Sequence, residues 1–303
     1  VSSDLSDFPV YIDLSDLSSD FFSQIQSNGE DIRVEEVSTG NQLDVQVVDV
    51  DTSNETGEIH FKAPTLSSSS DTEFYIYYGN SNVGGYATPE KVWEDYVAVY
   101  HMSQDPSSES QLLDSSPNNY HIDISNFGGS LVDGKVGKAY RDSNWLRRSA
   151  IIPTGERSMS VWTKHFSLDS GDSYLFDQDP GYQLIYYNND TEIRLLNDSG
   201  SDLRYSINAI PNDQYYHVVY TNDLTDQTFY LDGQLGQSES NASSGESSGD
   251  TYIGQSHFGS DNDKIIDEVR ITGKVLSEDW VSAEYTNQNS PTSFYSISPQ
   301  EQL

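Results

Sequence analysis

The sequence predicts an all-β protein of two β-sandwich domains, and three observations carry that prediction. Short runs rich in aromatic and β-branched residues recur along the 303 residues, each closed by polar turn residues. Helical periodicity is nearly absent. A Gly/Pro-containing stretch, "NVGGYATPEKVWED", interrupts the strand series near residues 83 to 95 with Gly84, Gly85 and Pro89.

In chain order, "FPVYIDLS", "LDVQVVDV", "GEIHFKAP" and "TEFYIYYGN" read as strands of a first domain, residues 1–90. The series restarts at "YVAVYHM" and continues through "GYQLIYYNN", "TEIRLLN", "QYYHVVYTN", "QTFYLDGQ" and "DTYIGQS", giving a larger sandwich over residues 91–303 with a C-terminal helix and tail. Asp232-Gly233 in "YLDGQL" favours a two-residue type I′ hairpin. Three short helices are expected, at "SSDFFSQIQS", "PEKVWEDYV" and "SEDWVSAEYTNQ". In the last, Ser277 suits the N-cap, with Glu278 and Asp279 against the positive helix end. The Ser/Gly tract at 236–250 is too polar to pack and reads as a long mobile loop.

Charge is the strongest global signal: 49 acids against 15 bases, a formal net of −34. Such a surface repels nucleic-acid phosphates and anionic membranes, so neither nucleic acid nor membrane insertion is expected. Molar salt or divalent cations would screen the self-repulsion. A high-salt or calcium-rich exterior is therefore the expected setting, with an ordinary acidic secreted protein as the alternative. There is no cysteine, which excludes disulfides and thiolate metal sites. The chain is polar enough to raise disorder as a competing reading, but its 12 % aromatic content, 21 tyrosines included, weighs against that. Four N-x-S/T sequons, at Asn54, Asn189, Asn197 and Asn241, are near chance in a chain so rich in these residues.

Several segments of the second domain, in order, carry a family likeness. They are "AVYHM", the Asp114 loop with "SSPNNYH", "VDGKVGKAY", "SMSVWTK" with Trp162, "QYYHVVYT" with His217, "TFYLDGQL", "YIGQS" and "IIDEVRITGKVLS". Together they follow one another across most of residues 96–285. This domain resembles the LamG-like jelly rolls of the concanavalin A-like lectin/glucanase superfamily. The resemblance implies a concanavalin A-like jelly roll with Trp162 in its core. The first domain, through "FPVYIDLS", "NGEDIRV" and "APTLSSSSDTEFYIYYGN", resembles a domain of unknown function that precedes LamG-like modules in prokaryotic surface proteins and viral structural proteins. That domain usually has a strand ahead of "DLSDFPV". The likeness therefore raises a first strand that is either missing from this sequence or supplied by a neighbouring chain.

The likeness also implies calcium, held where the loop 114–121 approaches the closing segment, with Asp114, Asn118 and Asp267 as oxygen ligands. Two observations oppose it: Asp and Asn make Asx turns unaided, and Pro117 stands where the family has glycine. A second departure follows Tyr140, where an acidic turn gives way to "YRDSNWLRRSA". In a chain poor in bases, Trp145, Arg147 and Arg148 form a candidate contact patch, Trp and Arg being frequent interface anchors. A buried Trp with arginines covering acidic neighbours explains the same residues. In "GYQLIYYNND", Tyr182 and Tyr186 share one strand face and Tyr187 the other, so one face can present tyrosine to a ligand.

Catalysis finds no matching string. The laminarinase-type glycosidases of this fold carry E-x-D-x-x-E, which is absent, and the six histidines form no H-E-x-x-H pair. The sequence thus points to a non-enzymatic extracellular recognition or adhesion protein, on a virion (tail, fibre or turret) or a cell surface. Its expected partner is a host or neighbouring-cell glycan or glycoprotein. A structural decoration or assembly subunit, homo-oligomeric or joined to other subunits, is the alternative, and a polysaccharide-degrading enzyme stands third.

Overall fold

A computed structural model describes residues 1–141, 146–166, 173–178, 182–186, 192–197, 202–206, 213–240, 249–255 and 263–301. The chain divides into two compact units, Val1–Glu94 with Ser282–Leu303, and Asp95–Val281.

In the first unit, the strand Leu5–Asp13 pairs antiparallel with Thr56–Leu66, which pairs in turn with Val45–Asp51. A second sheet joins Asn41–Leu43, Arg33–Glu36 and Phe74–Tyr77. Alternation along Thr56–Leu66 buries Ile59, Phe61 and Ala63, and Phe61 meets Phe74 of the other sheet edge-on at 4.8 Å. Two sheets closing on one apolar layer make a sandwich.

The C-terminal segment differs from expectation. Reading 91–303 as one domain placed the tail with the second sandwich, yet residues 282–303 belong to the first unit. The cause is the open edge of Leu5–Asp13. Asn287 brackets Tyr11, its Oδ1 accepting the Tyr11 N–H and its Nδ2 donating to the Tyr11 C=O, both at 2.8 Å. Tyr295 accepts the Asp13 N–H through its hydroxyl at 3.1 Å and donates to Asp16 Oδ2 at 2.8 Å. Phe294 stacks on Phe8 at 5.9 Å. The segment thus supplies partners that a sheet edge otherwise seeks elsewhere.

The second unit has two larger sheets. Among the described residues the first runs Ser130–Asp133, Lys138–Arg141, Lys264–Thr272, Arg157–His165, Tyr215–Asn222, Asp226–Leu231, Gln234–Ser240, with Tyr96–Tyr100 also on Lys264–Thr272. The second runs Leu146–Ser149, Asp250–Ile253, Ser173–Gln178, Tyr182–Tyr186, Glu192–Asn197, Asp202–Ser206. Their shared core takes Tyr100, Val161, Val218 and Ile271 from the first sheet and Leu146, Leu175, Phe176 and Ile253 from the second. Residues 236–240 of the Ser/Gly tract continue a strand rather than a loop, and Asp250 opens another; 241–248 lie outside the described residues.

Trp162 is buried, but on the outer face. Period-two alternation sends Met159 and Val161 to the core and turns Trp162 the other way, where its ring lies 4.9 Å from His217 and 5.7 Å from Lys135 Nζ. On the same sheet a bulge sets two residues, Glu268 and Val269, opposite Val161. Glu268 takes φ 47°, and its carboxylate accepts from His101 Nδ1 and Arg270 Nη2, both at 2.6 Å. Ser277 caps the helix Glu278–Asn289, accepting the Trp280 N–H at 3.2 Å. The Asp232-Gly233 hairpin has both φ values positive, 50° and 74°, as a type I′ turn requires.

Candidate functional site

The loop 113–121 leaves the short strand Gln111–Leu112 and returns as Ile122–Asp123, a two-residue ladder that pairs Gln111 with Asp123. Asp114 organises it. Its Oδ1 accepts the N–H groups of Val99 and Ser116, both at 2.9 Å. Its Oδ2 accepts the Ser116 hydroxyl and the Tyr120 N–H, both at 2.8 Å. One buried carboxylate therefore fixes both ends of the loop to the strand Tyr96–Tyr100, as an Asx turn does. The Tyr120 carbonyl is held from the other side by the Tyr100 hydroxyl at 2.6 Å, whose pKa is pushed up chiefly by burial. His121 Nδ1 accepts the Asp114 N–H at 2.9 Å, so the neutral ring carries its proton on Nε2.

Against this loop lies the strand Leu146–Ser149, in register with Asp250–Ile253: Arg147 opposes Tyr252, Arg148 opposes Thr251, and Ser149 opposes Asp250. Arg147 Nε donates to Asp250 Oδ2 at 2.6 Å, and its guanidinium sits 5.9 Å from the Tyr252 ring. Arg148 behaves differently. Its guanidinium lies over the Tyr120 ring at 5.5 Å, its Nε is buried with no hydrogen-bond partner, and it pairs with no carboxylate among the described residues.

Loop and strand line an open cleft of about 340 Å³. The loop wall contributes Gln111, His121 and Asp123; the strand wall contributes Arg147, Arg148, Ser149 and Asp250. Ser125 holds Asp123 below the usual carboxylate range, mainly through its hydroxyl and then its N–H. Two arginines thus face two carboxylates in a pocket without net charge, inside a chain of formal charge −34.

The loop and the arginine pair, read separately in the sequence, meet in one place. Other candidates do not join them. Asp267 is fully buried, and its Oδ2 accepts the Lys135 and Val136 N–H groups at 2.7 and 3.0 Å, fastening the turn after Ser130–Asp133. Asn118 Nδ2 donates to the Tyr96 and Val97 carbonyls at 3.3 and 3.0 Å. With Asp114 facing four protons, Asp267 Oδ2 facing two and the Asn118 amide donating, this donor set does not fit calcium. Tyr182 and Tyr186 belong to the strand Tyr182–Tyr186; their side chains, with Trp145 and Tyr187, lie outside the described residues. Gln111 and Asp250 were not singled out in the sequence. Arg147 offered the signal for Asp250, since a base in so acidic a chain calls for a carboxylate across the ladder.

Residues 140–282 match the family model of the concanavalin A-like lectin/glucanases superfamily. The second unit carries a concanavalin A-like domain. Residues 28–111 match a domain of unknown function, DUF2341, so the module order read from the sequence holds. No curated protein matches the chain in sequence. The binding domain of Paraclostridial Mosquitocidal Protein 1 is similar at TM-score 0.52 and 18 % identity, over 64 % of this chain and 52 % of its own. The receptor binding domain of botulinum neurotoxin C/D mosaic serotype gives 0.51 and 15 % with the same coverage, 64 % and 52 %. This chain thus spans about half the length of those two structures. Domain 4 of AbnA, a GH43 extracellular arabinanase from Geobacillus stearothermophilus, solved with arabinotriose, gives 0.50 and 20 % over 62 % of this chain and 97 % of its own. At these identities the likeness is one of fold. The concanavalin A-like domain shares its lectin-like fold with the binding domains of a neurotoxin and a mosquitocidal protein and with one domain of an arabinanase.

Proposed function

We propose that this chain is a non-enzymatic extracellular recognition protein that binds host or neighbouring-cell glycans through the cleft of its concanavalin A-like domain. The observation that carries this reading is Arg148, a cation with no carboxylate partner among the described residues, held over Tyr120 at the cleft wall. An acidic chain gains little fold stability from such a group, whereas a ligand gains a charged, pre-positioned donor. Both cleft carboxylates are already engaged, Asp250 by Arg147 and Asp123 by Ser125, which suits hydroxyl recognition better than acid–base work. Display on a virion or cell surface in concentrated salt accords with the net charge of −34 and with the paired modules. No helix among the described residues is long and apolar enough to cross a membrane.

A glycan array probed at molar salt with wild type and Arg148→Ala tests the reading. Glycan binding that the substitution abolishes supports it. Absence of binding to every glycan, or binding indifferent to Arg148, overturns it. Reducing sugar released from a host envelope preparation would replace it with an enzyme.

A further inference from the structure

We infer that the cleft takes an acidic sugar, with the sugar carboxylate seated on Arg148. This rests on the recognition reading above and names its ligand class.

The first ground is the state of the arginine. Its neighbour Arg147 is neutralised by Asp250, and Lys62, Lys138, Arg141, Lys164 and Lys274 each pair with a carboxylate. Arg148 pairs with none among the described residues, and its buried Nε is unbonded. A guanidinium presents parallel N–H groups that match a carboxylate in two simultaneous charge-assisted bonds.

The second ground is rigidity. Arg148 rests on Tyr120, whose N–H is fixed by Asp114 and whose C=O is fixed by Tyr100. The planar fork is therefore already ordered, and little side-chain entropy is lost when a ligand arrives.

The third ground is what else the cleft offers. Asp123 and Asp250 are acceptors, and Gln111 can donate and accept. Inorganic phosphate brings only one or two hydroxyl donors on a single compact centre, too few and too close to reach both walls, and a polyanion such as nucleic acid is repelled by the whole chain. One negative charge set among several hydroxyl groups satisfies both kinds of wall. A sugar acid has that arrangement. The volume of about 340 Å³ lies at the small end of ligand sites, which suits a short saccharide.

Calorimetry on the full chain, in buffered molar salt, tests this with glucuronate and N-acetylneuraminate against glucose and galactose, and with inorganic phosphate as competitor. Acid sugars are expected to bind at least about tenfold tighter than neutral ones, the equivalent of one charge-assisted hydrogen bond. Arg148→Lys keeps the charge and loses the fork; it should weaken the acid sugars by about tenfold and leave the melting temperature unchanged. Equal binding of neutral and acid sugars, full retention by Arg148→Lys, or displacement by phosphate at the same concentration overturns the acidic-ligand inference while leaving glycan recognition intact. If neither these sugars nor any arrayed glycan binds, the recognition reading fails as well.

Discussion

The Asp114 carboxylate accepts the Val99 N–H at 2.9 Å, across fifteen residues of sequence, while the same side chain also closes its own loop at Tyr120. That contact fixes the loop, and with it Tyr120, to the strand Tyr96–Tyr100. Removing it leaves three donors unanswered, the Val99, Ser116 and Tyr120 N–H groups, while the Ser116 hydroxyl keeps the Val97 carbonyl at 3.0 Å. Asp114→Ala should cost about 3 kcal/mol, since buried donors lose charge-assisted partners together. Urea unfolding measures the loss. The same geometry predicts that, in molar sodium chloride where screening is already complete, chelator and millimolar calcium give equal melting temperatures for the wild type. A clear rise with calcium would require those donors to turn away from Asp114.

Glu268 supplies a second, stronger test. It is buried between His101 and Arg270, each at 2.6 Å, at a bulge that gives a non-glycine residue φ 47°. Glu268→Gln preserves shape and removes the charge that the Arg270 guanidinium faces. Breaking a buried pair from one side leaves the other charge uncompensated, so the expected loss is about 3–5 kcal/mol by chemical denaturation. Because no cleft residue changes, any folded fraction should bind glycan as wild type does. A loss below about 1 kcal/mol would mean that the pair contributes no more than an exposed one.

Period-two patterning and turn chemistry made the strands legible, down to the Asp232-Gly233 turn with its two positive φ values. The arginine pair and the loop from Asp114 to His121 were legible as unusual stretches, because bases are scarce and because the loop kept its place in the family order. Their meeting was not, since it depends on Leu146–Ser149 pairing with Asp250–Ile253, some hundred residues away, and register at that range has no local signature. Trp162 was legible as buried but not by face: the strand Arg157–His165 is buried on both sides, so its pattern lacks the alternation that assigns sides. The tail was misplaced for a related reason. Asn287 and Tyr295 look like surface polar residues until the open edge they bond is known.

Asp232 gives a pH signature. Burial raises its pKa above 3.8, opposed by the His217 N–H and by the positive charges of His217 and Lys135. A raised folded-state value means that the native protein binds more protons than the unfolded chain between 3.8 and that value. The contribution to stability is therefore full below 3.8 and is lost as pH rises through the folded value. Asp232→Asn can still accept the His217 N–H and tolerates the left-handed turn. The difference in urea midpoint, variant minus wild type, should rise as pH increases from about 3.5 toward about 7 and level off at both ends. A difference that stays constant over the range would show that the carboxyl titrates alike in both states.

The net charge of −34 predicts the response to salt. At about 0.01 M ionic strength the screening length is roughly 30 Å, so most acids of the chain repel one another; near 1 M it falls to about 3 Å. Exposed attractive pairs such as Lys138–Asp133, at 2.8 Å, weaken too, but each is worth about 1 kcal/mol or less. With 49 acids and 15 bases, repulsive pairs outnumber attractive ones, and screening should stabilise the fold. The melting temperature is expected to climb steeply between about 0.01 and about 0.5 M sodium chloride and more slowly above that, where screening nears completion. Potassium chloride at equal ionic strength should give the same curve, and magnesium chloride should reach it at lower concentration. A melting temperature that falls with added salt would place the balance with the ion pairs and remove the reason for expecting a high-salt setting.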